Sequence, residues 1–457
     1  MMDTRTAAEA VSGRLVGDNV EFLRVASDSR ALQPGDLFVA LRGERFDGHD
    51  FVATALASGA VAALVADDRA DSLSGRLIAV PDTLSALGAL AHHWRRQFAL
   101  PLIAVVGSNG KTTVKEMAAA ILRAHFGDDH VLATQGNLNN AIGLPLTLLG
   151  LTAQHHAAVV EIGMNHPGET AVLAAMAAPT VGVINNAQRE HQEFMHSIAE
   201  VAAEHAALVR AMPAGGIAVL NADDAHVDVW REAAGEAGNI TVIEFGLDRP
   251  AAVRVRHGAA QTGGVVDLAT PAGDATVALA ARGRHNALNA LAAATAALAI
   301  GVPLAAVVRG LQDFRPVAGR LVTRTTAAGL TVIDDTYNAN PDSVRAAIAV
   351  LAAAPSPRWL VLGDMGEVGS EGPAFHREAG REARAAGIDR LYTTGAQAAE
   401  AGAAFGAGGS HFATAEDLAR HVSATAAPGT TVLVKGSRFM RMERVVQALV
   451  EGTRDAA

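Results

Sequence analysis

Leu102-Ile-Ala-Val-Val-Gly-Ser-Asn-Gly-Lys-Thr-Thr113 is a short apolar run that breaks at Gly107 and continues as the helical segment Val114–Leu122. The pattern predicts a buried strand, a loop and a helix in immediate succession. Glycines let the backbone curl until successive N–H groups and the helix N-terminus face one anion. Lys111 then supplies charge to the β- and γ-phosphates, and the Thr112 hydroxyl stands where Mg²⁺ is held. Gly107, Ser108, Asn109, Gly110, Lys111, Thr112 and Thr113 therefore read as an ATP-binding loop. The usual pattern has a glycine six positions before the lysine, and here that position is Val105, so the loop is the shorter Gly-x-x-Gly-Lys-Thr-Thr variant. The bland alternative is a glycine-rich turn with a solvated lysine.

Composition narrows the class. A chain of 457 residues predicts roughly three domains. Half of it is hydrophobic, enough for sizeable cores, yet only 4% is aromatic, so small aliphatic side chains dominate. A net charge of −10 without a clustered Lys/Arg tract argues against nucleic acid or an anionic membrane surface as the main partner. The absence of cysteine excludes disulfides, thiolate metal sites and a cysteine nucleophile. No apolar run is long enough to span a bilayer, and Met1-Met-Asp-Thr-Arg-Thr6 lacks an apolar core segment. A cytoplasmic enzyme without membrane insertion is expected.

The pattern divides into three α/β units. Residues 1–81 read as short strands and turns, with Phe38–Leu41, Ala62–Val65 and Ile78–Pro81 as strands; Asp82 then opens a helix as an N-cap. From 82 to 320, apolar runs alternate with helical segments, the signature of a largely parallel sheet. Strands there end in Glu161, in Asn185-Asn186 and in Asn221-Ala-Asp223-Asp224, which predicts a polar rim around the phosphate loop. Residues 250–280, with Gly263-Gly264, suggest a β-hairpin insertion. From 321 to 457 a small Rossmann-like unit follows, with strands at Leu330–Ile333, Trp359–Leu362, Arg390–Tyr392 and Thr431–Val434. Its first helix is amphipathic from Asp342 to Leu351, with Asp342 and Ser343 as the expected cap.

Several polar residues suit chemistry by position. Glu161 closes a strand of the phosphate-loop unit, where a carboxylate for the metal usually sits. His191 lies just beyond another strand end, as a metal or phosphate ligand or as a structural histidine. Asn286 precedes a helix and reads as a contact or as a cap. Arg320 follows a glycine at a domain junction, which would let it reach a γ-phosphate. Asp334-Asp-Thr-Tyr-Asn-Ala-Asn-Pro-Asp342 is the densest polar cluster of the third unit, and Lys435-Gly-Ser-Arg438 suits a carboxylate or is a solvated basic turn.

These segments resemble the Mur ligases, the ATP-dependent amide-forming enzymes of peptidoglycan precursor synthesis. The loop Gly107–Thr113 matches their short phosphate loop, and the similarity runs from Asp28-Ser-Arg30 to Lys435-Gly-Ser-Arg438. The distinguishing strings are Gly136-Asn-Leu-Asn-Asn-Ala-Ile-Gly143, Asp334–Ser343 and Leu362-Gly-Asp-Met-Gly-Glu367. They match best the family member that joins D-alanyl-D-alanine to UDP-N-acetylmuramoyl-tripeptide through an acyl phosphate. The resemblance implies ATP and Mg²⁺, a UDP-sugar-binding first domain, an ATP-binding central domain and a third domain for the dipeptide. A monomer is expected.

Carried over residue by residue, the resemblance places Lys111, His191 and Arg320 in catalysis, and Thr112, Glu161 and His191 at the metals. Asn140, Asn286, Arg320 and Asp335 would contact ATP. Ser29, Arg30 and His49 would serve the uridine diphosphate, and Tyr337, Asn338 and Asn340 the dipeptide. Many Mur ligases carry a carbamylated lysine after the metal-binding histidine, and His205 stands there in this chain. Direct ligation by His205, ligation by the adjacent Glu204, and a helical surface histidine are the three readings left open. Rival functions are a relative adding a single amino acid, a folylpolyglutamate synthetase, and a nucleotide-binding regulator without ligase activity. The string Asp334–Ser343 argues against the first and Asp28-Ser-Arg30 against the second.

Overall fold

A computed structural model describes residues 1–256 and 264–451. Strand Leu102–Val106 is buried along its whole length and lies inside a nine-stranded sheet. Its neighbours are Val181–Ile184 and Ala157–Glu161, both parallel to it. After this strand the chain goes to the edge at Val131–Ala133, returns through Ala157–Glu161, and then crosses to the other side at Val181–Ile184. The phosphate loop therefore leaves the sheet where strand order reverses, the place where open α/β sheets form a crevice. Thr241–Gly246 and Val253–Val255 extend the parallel part, and Val265–Thr270 and Gly273–Ala278 close it as an antiparallel hairpin. The hairpin expectation holds for these strands, while Gly263 lies outside the described residues.

Alternation along the central strand explains its two covered faces. Leu102, Ala104 and Val106 join one core and Ile103 and Val105 the other. Helices Lys111–Phe126, Arg284–Ala299 and Leu304–Asp313 pack on the second face. Small alanines let them approach closely, which accounts for a low-aromatic sequence that still buries large cores.

Two further large sheets accompany the first, beside a small two-stranded pair of Met2–Asp3 with Glu21–Phe22. A five-stranded sheet carries Arg14–Val16, Leu77–Val80, Ala62–Ala66, Asp36–Val39 and Arg24–Ala26 in that order. The helix after it, Thr83–Arg95, is capped by Asp82 through the Ser85 N–H as expected, and packs onto the central unit. Arg95 is buried there and donates to the carbonyls of Ala177, Phe98 and Leu100. The other sheet has six strands, ordered Val322–Thr325, Thr331–Asp335, Thr431–Lys435, Arg358–Leu362, Arg390–Thr394 and Gly409–Phe412. The two outermost were not expected from sequence, because both are short and largely exposed.

The cap of helix Pro341–Ala352 is a correction. Asn340, not Asp342 or Ser343, is the N-cap: its side chain accepts from the Ser343 N–H while the Ser343 hydroxyl accepts from the Asn340 N–H. Pro341 takes the first helical position, where no N–H is needed. Asp342 is thereby freed for a partner outside its own helix.

Candidate active site

The phosphate loop joins its strand to helix Lys111–Phe126, three residues earlier than the sequence reading placed the helix start. Gly107 and Gly110 both have positive φ, at 141° and 84°. A Cβ on Gly110 would stand 2.4 Å from Asn289 Oδ1 and 2.7 Å from Asn185 Nδ2, so backbone shape and close packing both demand glycine. Below the loop, Asn185 donates to the Asn109 carbonyl and to Asn289 Oδ1, Asn289 donates to Asn286, and Asn221 donates to the Asn185 carbonyl. This floor of buried, neutral amides fixes the loop without adding charge beneath an anion site. Asn286 belongs to the floor, with its amide also bound to the Arg282 carbonyl.

The expected metal residues converge. Glu161 is paired in register with Val105, which sets its carboxylate beside the loop. The Thr112 hydroxyl donates to Glu161 Oε2 at 2.7 Å and accepts from Arg320 at 2.9 Å. Asn139, which sequence reasoning missed, donates to Glu161 Oε1 at 2.7 Å, while its exposed neighbour Asn140 accepts from the Ile142 and Gly143 N–H groups. Lys115, fully buried one turn into the helix, donates to the Thr134 carbonyl and pairs with Glu116. The Thr134 hydroxyl in turn accepts the Glu161 N–H.

Lys111 is engaged on its own protein. Its ammonium reaches the Gly107 carbonyl at 2.5 Å, Glu190 Oε2 at 3.2 Å and the Ser108 carbonyl at 3.4 Å. Glu190 is buried, with His205 Nε2 3.1 Å away and His191 Nε2 3.9 Å away. Burial alone would raise its pKa, but Lys111, His205 and His191 together pull it far below the ordinary carboxylate range. The His205 contact is close yet poorly angled, leaving both its ring nitrogens without a directed hydrogen bond. Two of the readings for this position are corrected. His205 is 1% exposed, so it is no surface histidine, and Glu204 faces away to cap helix Glu169–Ala177 through the Gly168 and Thr170 N–H groups.

The loop after strand Val181–Ile184 carries several contacts to the six-stranded unit, and the phosphate loop adds another. Arg189 forks onto Asp342 and Glu378, with shortest distances of 2.7 and 3.0 Å, and lies over the Phe375 ring. His191 Nδ1 lies 2.8 Å from Glu367 Oε2. Both residues adopt positive φ, 47° and 56°, a conformation costing about 1–2 kcal/mol for a residue with a side chain. Asn340 donates to Asn109 Oδ1 of the phosphate loop at 3.0 Å. Arg320 stacks over Tyr337 at 4.1 Å, and the buried Lys435 binds Asp335 at 2.6 Å and the Asn338 carbonyl at 2.9 Å. Lys435 is thus no solvated turn. Arg438 is exposed and pairs with Glu443.

Lys111, Thr112, Glu161, Glu190, His191, Arg320, Asn340 and Lys435 border one cleft of about 2330 Å³ between the central and C-terminal units, whereas Lys115, Arg189 and His205 are not part of its lining. The first-domain residues stand apart from that lining. Arg30 is exposed and paired with Asp28, with Ser29 beside it in a short turn. His49 is sealed, its Nε2 accepting the Ala66 N–H and its Nδ1 2.5 Å from Asp47 Oδ1, so its ring offers no free nitrogen to a ligand.

Known proteins share these domains. Residues 105–297 match the Mur ligase middle domain, 319–438 the Mur ligase glutamate ligase domain, and 21–124 the Mur ligase family catalytic domain. An Escherichia coli K12 protein named UDP-N-acetylmuramoyl-tripeptide–D-alanyl-D-alanine ligase is 41% identical, over 97% of each chain. The chain belongs to the Mur ligase family. A Haemophilus influenzae protein of the same name is 36% identical to this Mur ligase over 98% of each chain. Among solved structures, MurF from Acinetobacter baumannii superposes with a TM-score of 0.90 at 33% identity, covering 98% of this chain and 99% of that one. MurF from Thermotoga maritima, solved in complex with ADP, gives 0.82 at 28% identity over 94% and 97%. The mixed α/β architecture of this Mur ligase is theirs.

Proposed function

We propose that this Mur ligase joins D-alanyl-D-alanine to UDP-N-acetylmuramoyl-tripeptide with hydrolysis of ATP to ADP and phosphate, in peptidoglycan precursor synthesis. The observation carrying this reading is the end-to-end similarity to enzymes of that name, combined with a cleft that sets Tyr337, Asn338 and Asn340 against the phosphate loop. The domain reading is 1–81 for the UDP-sugar, 82–320 for ATP and 321–457 for the dipeptide. A monomer is the proposed state. No helix among the described residues is long and apolar enough to cross a membrane, and ATP and a UDP-linked substrate fit a cytoplasmic site.

The chemistry explains the side chains. A carboxylate repels nucleophiles, so the tripeptide carboxylate first attacks the γ-phosphorus and the bond to the β-phosphate oxygen breaks. The resulting acyl phosphate has lost that charge and gained a leaving group. The dipeptide amine then adds to the acyl carbon, sheds a proton, and phosphate departs as the tetrahedral intermediate collapses. Bringing anions together requires preorganised positive charge. Lys111 would serve the β- and γ-phosphates, Arg320 the γ-phosphate, and Asp335 the ribose. The loop amides would cradle the phosphates, with Asn140 at the nucleotide side. Asn286 would act from below.

Mg²⁺ fits the residues present. Thr112 and Glu161 offer only oxygen donors, which suits a hard cation that takes its other ligands from phosphates and water. Bound there, it would neutralise charge on the phosphates. His191 remains the proposed residue of a second metal site, beside Glu190 and Glu367. Ser29, Arg30 and the turn around His49 would meet the uridine diphosphate. Phosphate release from ATP should require both tripeptide substrate and D-alanyl-D-alanine, with a pentapeptide product by mass. Release with a different amine would move the substrate, and release needing neither would overturn the reading.

A further inference from the structure

Lys111 and Arg320 are both read as phosphate ligands, yet the protein satisfies them differently. Arg320 gives one hydrogen bond to the Thr112 hydroxyl and stacks on Tyr337, and its Nε has no partner. An arriving anion finds a guanidinium with donors to spare. Lys111 has three ammonium donors, and the Gly107 carbonyl, the Ser108 carbonyl and Glu190 account for all three. An anion can reach this ammonium only by replacing a partner. Two of those partners are neutral carbonyls of the loop itself, and the third is a carboxylate.

We propose that Glu190 is a positioning residue of the phosphate loop: its carboxylate stands on Lys111 in place of a phosphate oxygen, and the nucleotide must displace it to bind. The inference rests on the reading that Lys111 receives nucleotide phosphates. Glu190 is held for this task from several sides. Its N–H donates to the Gln188 carbonyl, Gln188 exchanges hydrogen bonds with Ser108 of the phosphate loop, and its side chain is wedged between His205 and His191. The carboxylate is 5% exposed, and a buried charge left unpaired is costly, so it recruits the nearest cation. The phosphate-loop lysine is thereby kept extended over its loop, and a weakly charged anion cannot take it. His205 Nε2 at 3.1 Å and His191 Nε2 at 3.9 Å are the groups nearest the carboxylate apart from Lys111.

The test is ADP binding by titration calorimetry in EDTA, where no metal contributes, on a double-mutant cycle of Glu190→Gln and Lys111→Ala. Glu190→Gln should tighten ADP binding by about fivefold or more, the low end of measured site-to-site coupling. In the Lys111→Ala background the same change should have little effect, because no lysine remains to be released. Glu190→Asp, which keeps the charge, should bind ADP no more tightly than the parent enzyme. Glu190→Met, similar in volume and uncharged, repeats the measurement if Glu190→Gln does not fold. No tightening, or equal tightening with and without Lys111, would overturn the proposal, the second outcome meaning a general charge effect. If Lys111→Ala alone leaves ADP binding intact, the reading of Lys111 itself fails, which the cycle distinguishes.

Discussion

Arg189 and Asp342 meet 2.7 Å apart across the boundary between the central and C-terminal units, and the Asp342 carboxylate also accepts the Arg189 backbone N–H at 2.8 Å. Glu378 takes the other edge of the same guanidinium. The two carboxylates hold Arg189 more firmly protonated than an ordinary arginine despite its partial burial. Arg189→Ala removes the fork and leaves Asp342 and Glu378 with Arg345 as their remaining shared cation. It should weaken docking of the C-terminal unit by about 2 kcal/mol, less than a fully buried pair because water reaches the site. A larger radius of gyration in small-angle scattering checks this, and an unchanged scattering curve would show that the fork holds nothing.

Lys111→Ala should lower kcat/KM for ligation by about a thousandfold, the scale of losing one preorganised group aimed at transition-state charge. Binding of the UDP-linked substrate, followed by calorimetry, should stay within error, since Arg30 and the first sheet lie outside the cleft. Equal loss of both activities would mean that the division of labour between the units is wrong.

Lys115→Met tests the support of Glu161. The substitution matches the length of the side chain but leaves the Thr134 carbonyl without its buried donor, at a cost of about 1–3 kcal/mol. Thr134 also carries the Glu161 N–H, so the Mg²⁺ concentration for half-maximal activity should rise together with the loss of melting temperature. A stability loss with an unchanged Mg²⁺ requirement would separate the two.

Acid should loosen the C-terminal unit through His376. This buried imidazole accepts the Met365 N–H on Nε2 and meets the Gly372 carbonyl on Nδ1, an arrangement only the neutral ring can make. Burial holds its pKa below the ordinary histidine value of 6.5. The unfolded chain binds the proton more readily, so the contribution is complete above about pH 6.5 and is lost as pH falls through the lower folded value. Melting curves between pH 5 and 8 should show the decline, and His376→Gln should flatten it.

What the sequence made legible was what local pattern controls. The run into Gly107-Ser-Asn-Gly-Lys fixed strand, loop and helix, and strand ends at Glu161 and Asn185 announced the rim, because apolar periodicity and glycine placement are read within a few residues. Glu190, Asn139 and Arg189 were not singled out. Each gains its role only when segments far apart in the chain converge, and nothing local marks Glu190 apart from the histidine beside it. The same reason hid the burial of His205 and the sealing of His49. The capping box and the cross-cleft contact of Asn340 were equally hidden, because one side chain makes both only in the folded chain.

The loop after strand Val181–Ile184 turns successive residues in opposite directions: Gln188 to Ser108, Arg189 to Asp342 and Glu378, Glu190 to Lys111, His191 to Glu367. Its spelling is therefore written jointly by two units that otherwise fold around separate sheets. A chimera made by exchanging C-terminal units between relatives, spliced at the obvious seam near Arg320, would inherit a loop addressed to the wrong recipient. A working graft must carry residues 185–193 along with the unit they grip, or rewrite Asp342, Glu367 and Glu378 to suit the loop that stays.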